Sequence, residues 1–217
     1  MAKPLYRAGD LFAVPFPDGT YATARVLLDV AAQCFASRKV DDTSALTAFR
    51  GWILVEVYRE VSAAPSGLVS PVVIPGMFAD PDLIGGSGKR RWKITGHVDV
   101  SPVAVAFPEG LLQTPDGRLC FLSGEIKQVL NVDAKHLDRY TTRVSLGSAA
   151  RFVNICAYYT GRKELLGEHV EAFSLASADL RFTADRDEIY RFMREDPARP
   201  YYERAKARGF DLARFYS

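Results

Sequence analysis

The sequence is short of the residues on which catalytic and metal chemistry most often rests. It has three cysteines and three histidines in 217 residues. Cys34, Cys120 and Cys156 are odd in number and too few for a disulfide framework, which fits a reducing compartment. His97, His136 and His169 lie far apart, and none has a second His or Cys at metal-ligand spacing. No metal and no cofactor are therefore expected. No apolar run approaches the roughly 20 residues that cross a bilayer. The opening MAKPLYRAGD turns polar at once and lacks the apolar stretch of a signal peptide. A cytoplasmic protein that does not associate with membranes is the expectation.

Charge of one sign is lacking too. The formal net charge is +2, with residues 1–180 balanced at 19 basic and 19 acidic side chains and residues 181–217 holding 9 and 7. Such a small excess argues against a nucleic-acid footprint. There is no Gly-x-Ser-x-Gly elbow. IGGSGKRRW resembles a phosphate loop only in passing, because the Walker spacing needs Gly where Leu83 stands and Ser or Thr where Arg90 stands. Backbone amides there, with Lys89, Arg90 and Arg91, still suit an anion or an acidic partner.

What is present is a β-rich first two-thirds. In GDLFAVPFPDGTYATARVLLDV, from Gly9 to Val30, period-two patterning flanks a Pro17-Asp18-Gly19 turn, which predicts a hairpin. Cys34 to Leu46 is polar and reads as an exposed loop. Gly51 to Arg59 (GWILVEVYR) is the candidate central strand. Pro71 to Pro75 is short and extended, Asp80 to Gly88 loop-like, and Arg90 to Val100 another strand. Val103 to Phe107 and a second Pro-Asp-Gly hairpin over Leu111 to Leu122 follow, with a short strand over Val129 to Val132.

From Ser148 the period lengthens. Ala149, Phe152, Val153, Cys156 and Tyr159 form a helical stripe, with Ser148 as N-cap and Gly161 as stop. Asp185 and Glu188 suggest a capping box for a helix ending before Pro197. Pro200 suits the first turn of a further helix, Gly209 its C′ position, and Asp211 the cap of a last short turn. Eight aromatics between Phe182 and Tyr216 are available to dock these helices onto the sheet. The fold class is α+β: an N-terminal strongly bent antiparallel sheet or SH3-like barrel, with C-terminal helices packed on it. The corresponding division is a β-rich module over 1–140 and a helical portion over 141–217, expected by their length to form one compact domain.

The order of segments resembles a known family. The residues are Gly9, Asp10, Phe12, Ala13, Pro15, Asp18, Gly19, Tyr21, Arg25 and Val26. They are followed by the strand WILVEVYR, then by WKITGH and FPEG. Together they are similar to immunity protein family 26 of bacterial polymorphic toxin systems, over about the first 140 residues. The resemblance implies a non-catalytic inhibitor that binds a cognate toxin domain. A basic toxin favours acidic contacts such as Asp41, Asp42, Asp80 and Asp82, and an acidic one favours Lys89 to Arg91. Contacts on a loop held by a rigid sheet point to Asp80, Asp82, Lys89, Arg90, Arg91 and Trp92 as the partner-binding set. Two rivals stand beside this reading. One is an enzyme using His97 or His136 with neighbouring carboxylates as acid and base. The other is a barrel-type module for nucleic acid or a small ligand.

Overall fold

The computed structural model describes residues 6–85, 92–132, 146–147 and 149–217. Two antiparallel sheets organise the chain. In the larger, β1 (Asp10–Pro15), β2 (Tyr21–Asp29), β3 (Ile53–Ser62), β4 (Val72–Ala79) and β5 (Ile94–His97) run in the order β5-β1-β2-β3-β4. A two-residue strand, β9 (Leu146–Gly147), pairs in parallel with the outer side of β4. The smaller sheet is a meander of β6 (Gly110–Gln113), β7 (Leu119–Ser123) and β8 (Ile126–Leu130). The larger sheet is open, so the bent-sheet alternative holds and the closed barrel does not. Register shifts at Leu11/Phe12, Val26/Leu28 and Val55/Val57 mark bulges, and bulges add twist and bend a strand.

The two expected hairpins and the central strand are present. At the first turn Asp18 accepts from the Thr20 amide (3.0 Å) and hydroxyl (2.7 Å). Gly19 adopts φ +84°, which a side chain would oppose. Arg162, just past the first long helix, donates to Asp18 and to the Thr20 hydroxyl, tying the hairpin tip to the helical half. That helix, α2 (Ala149–Tyr159), follows the expected stripe. Its proposed cap, Ser148, lies outside the described residues.

The remaining helices are α1 (Asp82–Gly85), α3 (Arg186–Met193) and α4 (Tyr201–Ala207). Asp185 stands at the N-cap of α3 with a helical backbone (φ −81°, ψ −9°) and makes no side-chain cap bond, so that half of the expected capping box is missing. Pro200 precedes α4 as its N-cap, and Asp211 caps the closing 3₁₀ turn, Leu212–Phe215, through the Ala213 amide. Cys34 to Leu46 departs from expectation. A π-helix, Val30–Ala36, and a 3₁₀ turn, Ala45–Phe49, fold this stretch, and Cys34, Leu46 and Phe49 are buried.

Burial explains the layers. One face of the larger sheet packs Phe12, Val26, Val55 and Val57 against Phe152, Ile155 and Cys156 of α2. The other face contributes Leu28, Leu54 and Phe78 to a second core with Phe121, Tyr190 and Tyr201. The helical portion is therefore shared between two cores.

A buried carboxylate ties the second core together. Glu109 is 2 % exposed and accepts from Arg186 Nε (2.7 Å), the Tyr190 hydroxyl (2.6 Å) and Arg204 Nη2 (3.1 Å). Arg204 lies 5.0 Å from the Tyr190 ring centre, within cation–π range. Burial raises the Glu109 pKa, but hydrogen bonds from Arg186 and Tyr190 and the charges of Arg186 and Arg204 outweigh it. The carboxyl is held below its ordinary value of 4.5. Its contribution to stability is thus complete above that value and is lost as the pH falls through the folded one. Glu109→Gln leaves buried guanidinium charge uncompensated and is expected to cost about 3–5 kcal/mol in urea unfolding. Wild-type stability should also fall more steeply with acidification below pH 4.5 than that of the variant.

Candidate functional site

The start of β1 is a frame for one end of the larger sheet. Gly9 has φ +95°, and a Cβ there would stand 2.6 Å from His97 Cε1 and 2.7 Å from the Val98 carbonyl oxygen. Only glycine lets this backbone lie so close to the segment after β5. Asp10 Oδ1 meets His97 Nδ1 at 2.8 Å, and His97 Nε2 meets Asp99 Oδ1 at 3.0 Å. Both ring nitrogens are thereby engaged with carboxylates, and the imidazole pins β5 to β1. One strand further in, Arg25 pairs with Glu56 at 2.7 Å, and the Tyr58 hydroxyl donates to Glu56 at 2.6 Å. Burial, with that bond to Glu56, keeps the Tyr58 hydroxyl above the usual phenol range.

At the same end β2 runs directly into the π-helix. Asp29 closes the strand, and its carboxylate accepts from the Ala32 amide (2.8 Å) and the Tyr6 hydroxyl (3.1 Å). Gln33, one turn on, accepts from the Asp29 amide (2.8 Å) and donates to the Phe215 carbonyl (3.0 Å). Helices of this wide pitch are rare and concentrate at functional sites. Here the helix forms one wall of a cavity of about 520 Å³, lined among others by Tyr6, Arg7, Asp29, Asp99 and Tyr216.

The sheet brings further acids to this end. Ile53 of β3 pairs with both Asp29 and Ala79, so Asp80 follows β4 one residue beyond that row and two strands across from Asp29. Burial raises the Tyr6 pKa above the phenol range, and the charges of Asp29, Asp82 and Asp80 add to it. Asp29 and Asp99 line the cavity together with Arg7, itself 3.7 Å from Asp10, while Asp80 and Asp82 stand at the same end of the sheet outside that lining. The field favours a positively charged group.

Comparison with known protein families, with curated proteins and with solved structures finds no match to this chain.

Of the expected contact set, Asp80 is half-buried and Asp82 exposed, and the Asp82 amide donates to Asp80 Oδ1 (2.9 Å). Trp92 is a correction. It is 9 % exposed, stacked 5.9 Å from Phe12 and tilted 5.7 Å from Phe152, so its ring seals α2 onto the sheet and is not displayed on a loop surface. Lys89, Arg90, Arg91 and His136 lie outside the described residues. His169 is exposed on a 3₁₀ segment, Gly167–Phe173. All three cysteines are buried; burial pushes the Cys34 thiol up to about 12 and raises Cys120 and Cys156 as well, so they remain thiols. Among the described residues no cluster of metal-ligating side chains occurs, and no helix is long and apolar enough to cross a membrane.

Tyr6, Asp29, Gln33 and Asp99 were not singled out from sequence. Their one signal is Asp29 ending the apolar run VLLD. Gln33→Ala removes the tie between the π-helix and the C-terminal segment and strands the Asp29 amide. It is expected to cost about 1–2 kcal/mol. Hydrogen exchange should quicken at Asp29, and protease cleavage should rise within residues 212–217, while α2 stays unchanged.

Proposed function

We propose that this chain is a non-catalytic immunity protein of the bacterial cytoplasm, binding a cognate toxin domain and blocking it. The single observation that carries the choice of surface is the acidic end of the larger sheet. Five aspartates stand at this end, and two of them, Asp29 and Asp99, line its cavity, on a chain whose overall charge is slightly positive. Local charge opposite in sign to the whole is a device for selecting and steering a partner. A toxin that acts on nucleic acid carries a basic face, and a Lys or Arg side chain from it fits the cavity beside Asp29 and Asp99. The resemblance of the Gly9-to-Val26 segment to immunity protein family 26 supports the same reading. In this proposal those residues build the frame, and the aspartates around it make the contact.

The enzyme rival assigns acid–base work to His97, whose ring nitrogens are both held by aspartates. The nucleic-acid rival sets phosphates against this acidic end. Both are decided by one set of measurements on the partner that co-elutes in equimolar amount from the native cell. Asp80→Lys with Asp82→Lys is expected to slow association by about tenfold or more at low salt. Raising the salt should bring variant and wild type together. His97→Ala should retain partner binding. Turnover of a substrate by the isolated protein, abolished in His97→Ala, overturns the proposal, as does an association rate indifferent to both charge reversal and salt.

A further inference from the structure

The C-terminal segment has a second cavity on its other side. It measures about 380 Å³ and is lined by Lys39, Lys127, Arg208 and Arg214 with Glu125, Asp41 and Phe210. That size falls within the roughly 300–1,000 Å³ typical of small-ligand sites.

The arginines are built in. Arg208 donates to Gln128 (3.0 Å) and to Glu195, and Arg214 donates to the Asp211 carbonyl (2.9 Å) and to Glu125. Lys39 donates to the Ser217 carbonyl at 2.9 Å, and Lys127 is exposed at the rim. Glu125 is the informative member. Its side chain is only 4 % exposed, and while one oxygen accepts from Arg214, Oε2 has no hydrogen-bond partner. The Oε2 of Glu195, behind Arg208, is likewise without one. A buried acceptor left unmade is costly, so a donor entering here is strongly favoured. Oε2 is itself buried, and meeting a donor in the cavity requires rotation about the terminal torsion, which in glutamate is broad and two-fold.

These features constrain the ligand. A simple anion satisfies the cations but leaves Glu125 Oε2 unpaired. A simple cation satisfies Glu125 but meets four positive side chains. The lining holds two more cations than carboxylates, one more when Glu195, paired with Arg208 from behind, is counted, and that excess suits the negative charge of a phosphate monoester. Phe210, half-buried on the wall, adds an aromatic surface for a flat ring. We propose that this cavity binds a nucleoside monophosphate. The base N–H groups donate to Glu125 with the ring against Phe210, and the phosphate lies between Lys127 and Arg208. The site is independent of the partner surface at the acidic end.

Isothermal titration of the full chain with GMP, AMP and CMP, and in parallel with guanosine and inorganic phosphate, tests this. At least one of the three nucleotides should bind one to one, with guanosine and phosphate each weaker by about tenfold or more, a difference of about 1.4 kcal/mol. Glu125→Gln should weaken that nucleotide by about tenfold and leave phosphate affinity unchanged or higher. Lys127→Ala, at the exposed rim, should weaken both nucleotide and phosphate by about threefold to tenfold. If Glu125→Gln does not fold, Lys127→Ala and Phe210→Leu decide, the latter lowering nucleotide affinity alone. No binding of any nucleotide at millimolar concentration overturns the proposal. So does phosphate binding as tightly as the nucleotides, which marks an adventitious ion only, and so does wild-type affinity in Lys127→Ala and Phe210→Leu.

Discussion

Glu109 is the charge around which the second half of the molecule closes. It sits just before β6, and its three donors come from α3 and α4, between 77 and 95 residues further along the chain. Neither helix, at 8 and 7 residues, is long enough to persist on propensity alone. What keeps them is one apolar face each, Ile189, Tyr190 and Met193 on α3 and Tyr201 and Ala205 on α4, together with this shared carboxylate. Hydrophobic burial alone would tolerate some sliding of such short helices. Two guanidinium groups and a phenol converging on one buried carboxylate allow a single arrangement, because every alternative strands a charge in the core.

With α3 and α4 held there, the position of residues 210–217 follows. The chain leaves α4, turns through the Asp211 cap, and returns to the larger sheet, where the Tyr216 hydroxyl donates to the Leu27 carbonyl at 2.8 Å. Gln33 holds the same segment from the π-helix side. The segment is thus the partition between two cavities, and each inherits its sign from a different part of the fold. Strand ends supply the aspartates of one. The smaller sheet and α4 supply Lys127 and Arg208 to the other, joined by Arg214 from the closing turn.

Strands were legible from sequence wherever alternation was clean. Val14 with Phe16, and Ile53 with Val55 and Val57, face the α2 core as period-two patterning requires. The Pro-Asp-Gly turns and the α2 stripe were legible for the same reason, since each is a local pattern with a local cause. The π-helix was not. Its i to i+5 bonding has no apolar period of its own, and Val30–Ala36 carries only Val30, Cys34 and Phe35 inward, a spacing that suggests nothing regular. Trp92 entered the contact set as the last residue of a loop held by the sheet. Tertiary packing placed it between Phe12 and Phe152 instead. Asp80 and Asp82 were found, but for a loop reason. Their kinship with Asp29 comes from the β2–β3–β4 register, which no single segment encodes.

That register also explains how a nearly neutral chain presents strong local fields. Net charge counts side chains without regard to place, and here place separates them. Screening acts over about 8 Å at physiological salt, so a molecule seated in one cavity responds to its own lining far more than to the sum over the chain. Asp29 and Asp99 at the cavity, with Asp80 and Asp82 at the same end of the sheet, attract positive charge although the whole protein is weakly positive. Lys39 and Lys127 attract negative charge on the other side of the same partition. The sign of what binds is therefore decided by which strand ends and helix faces the two cores bring together, and a composition-level charge of +2 conceals both surfaces.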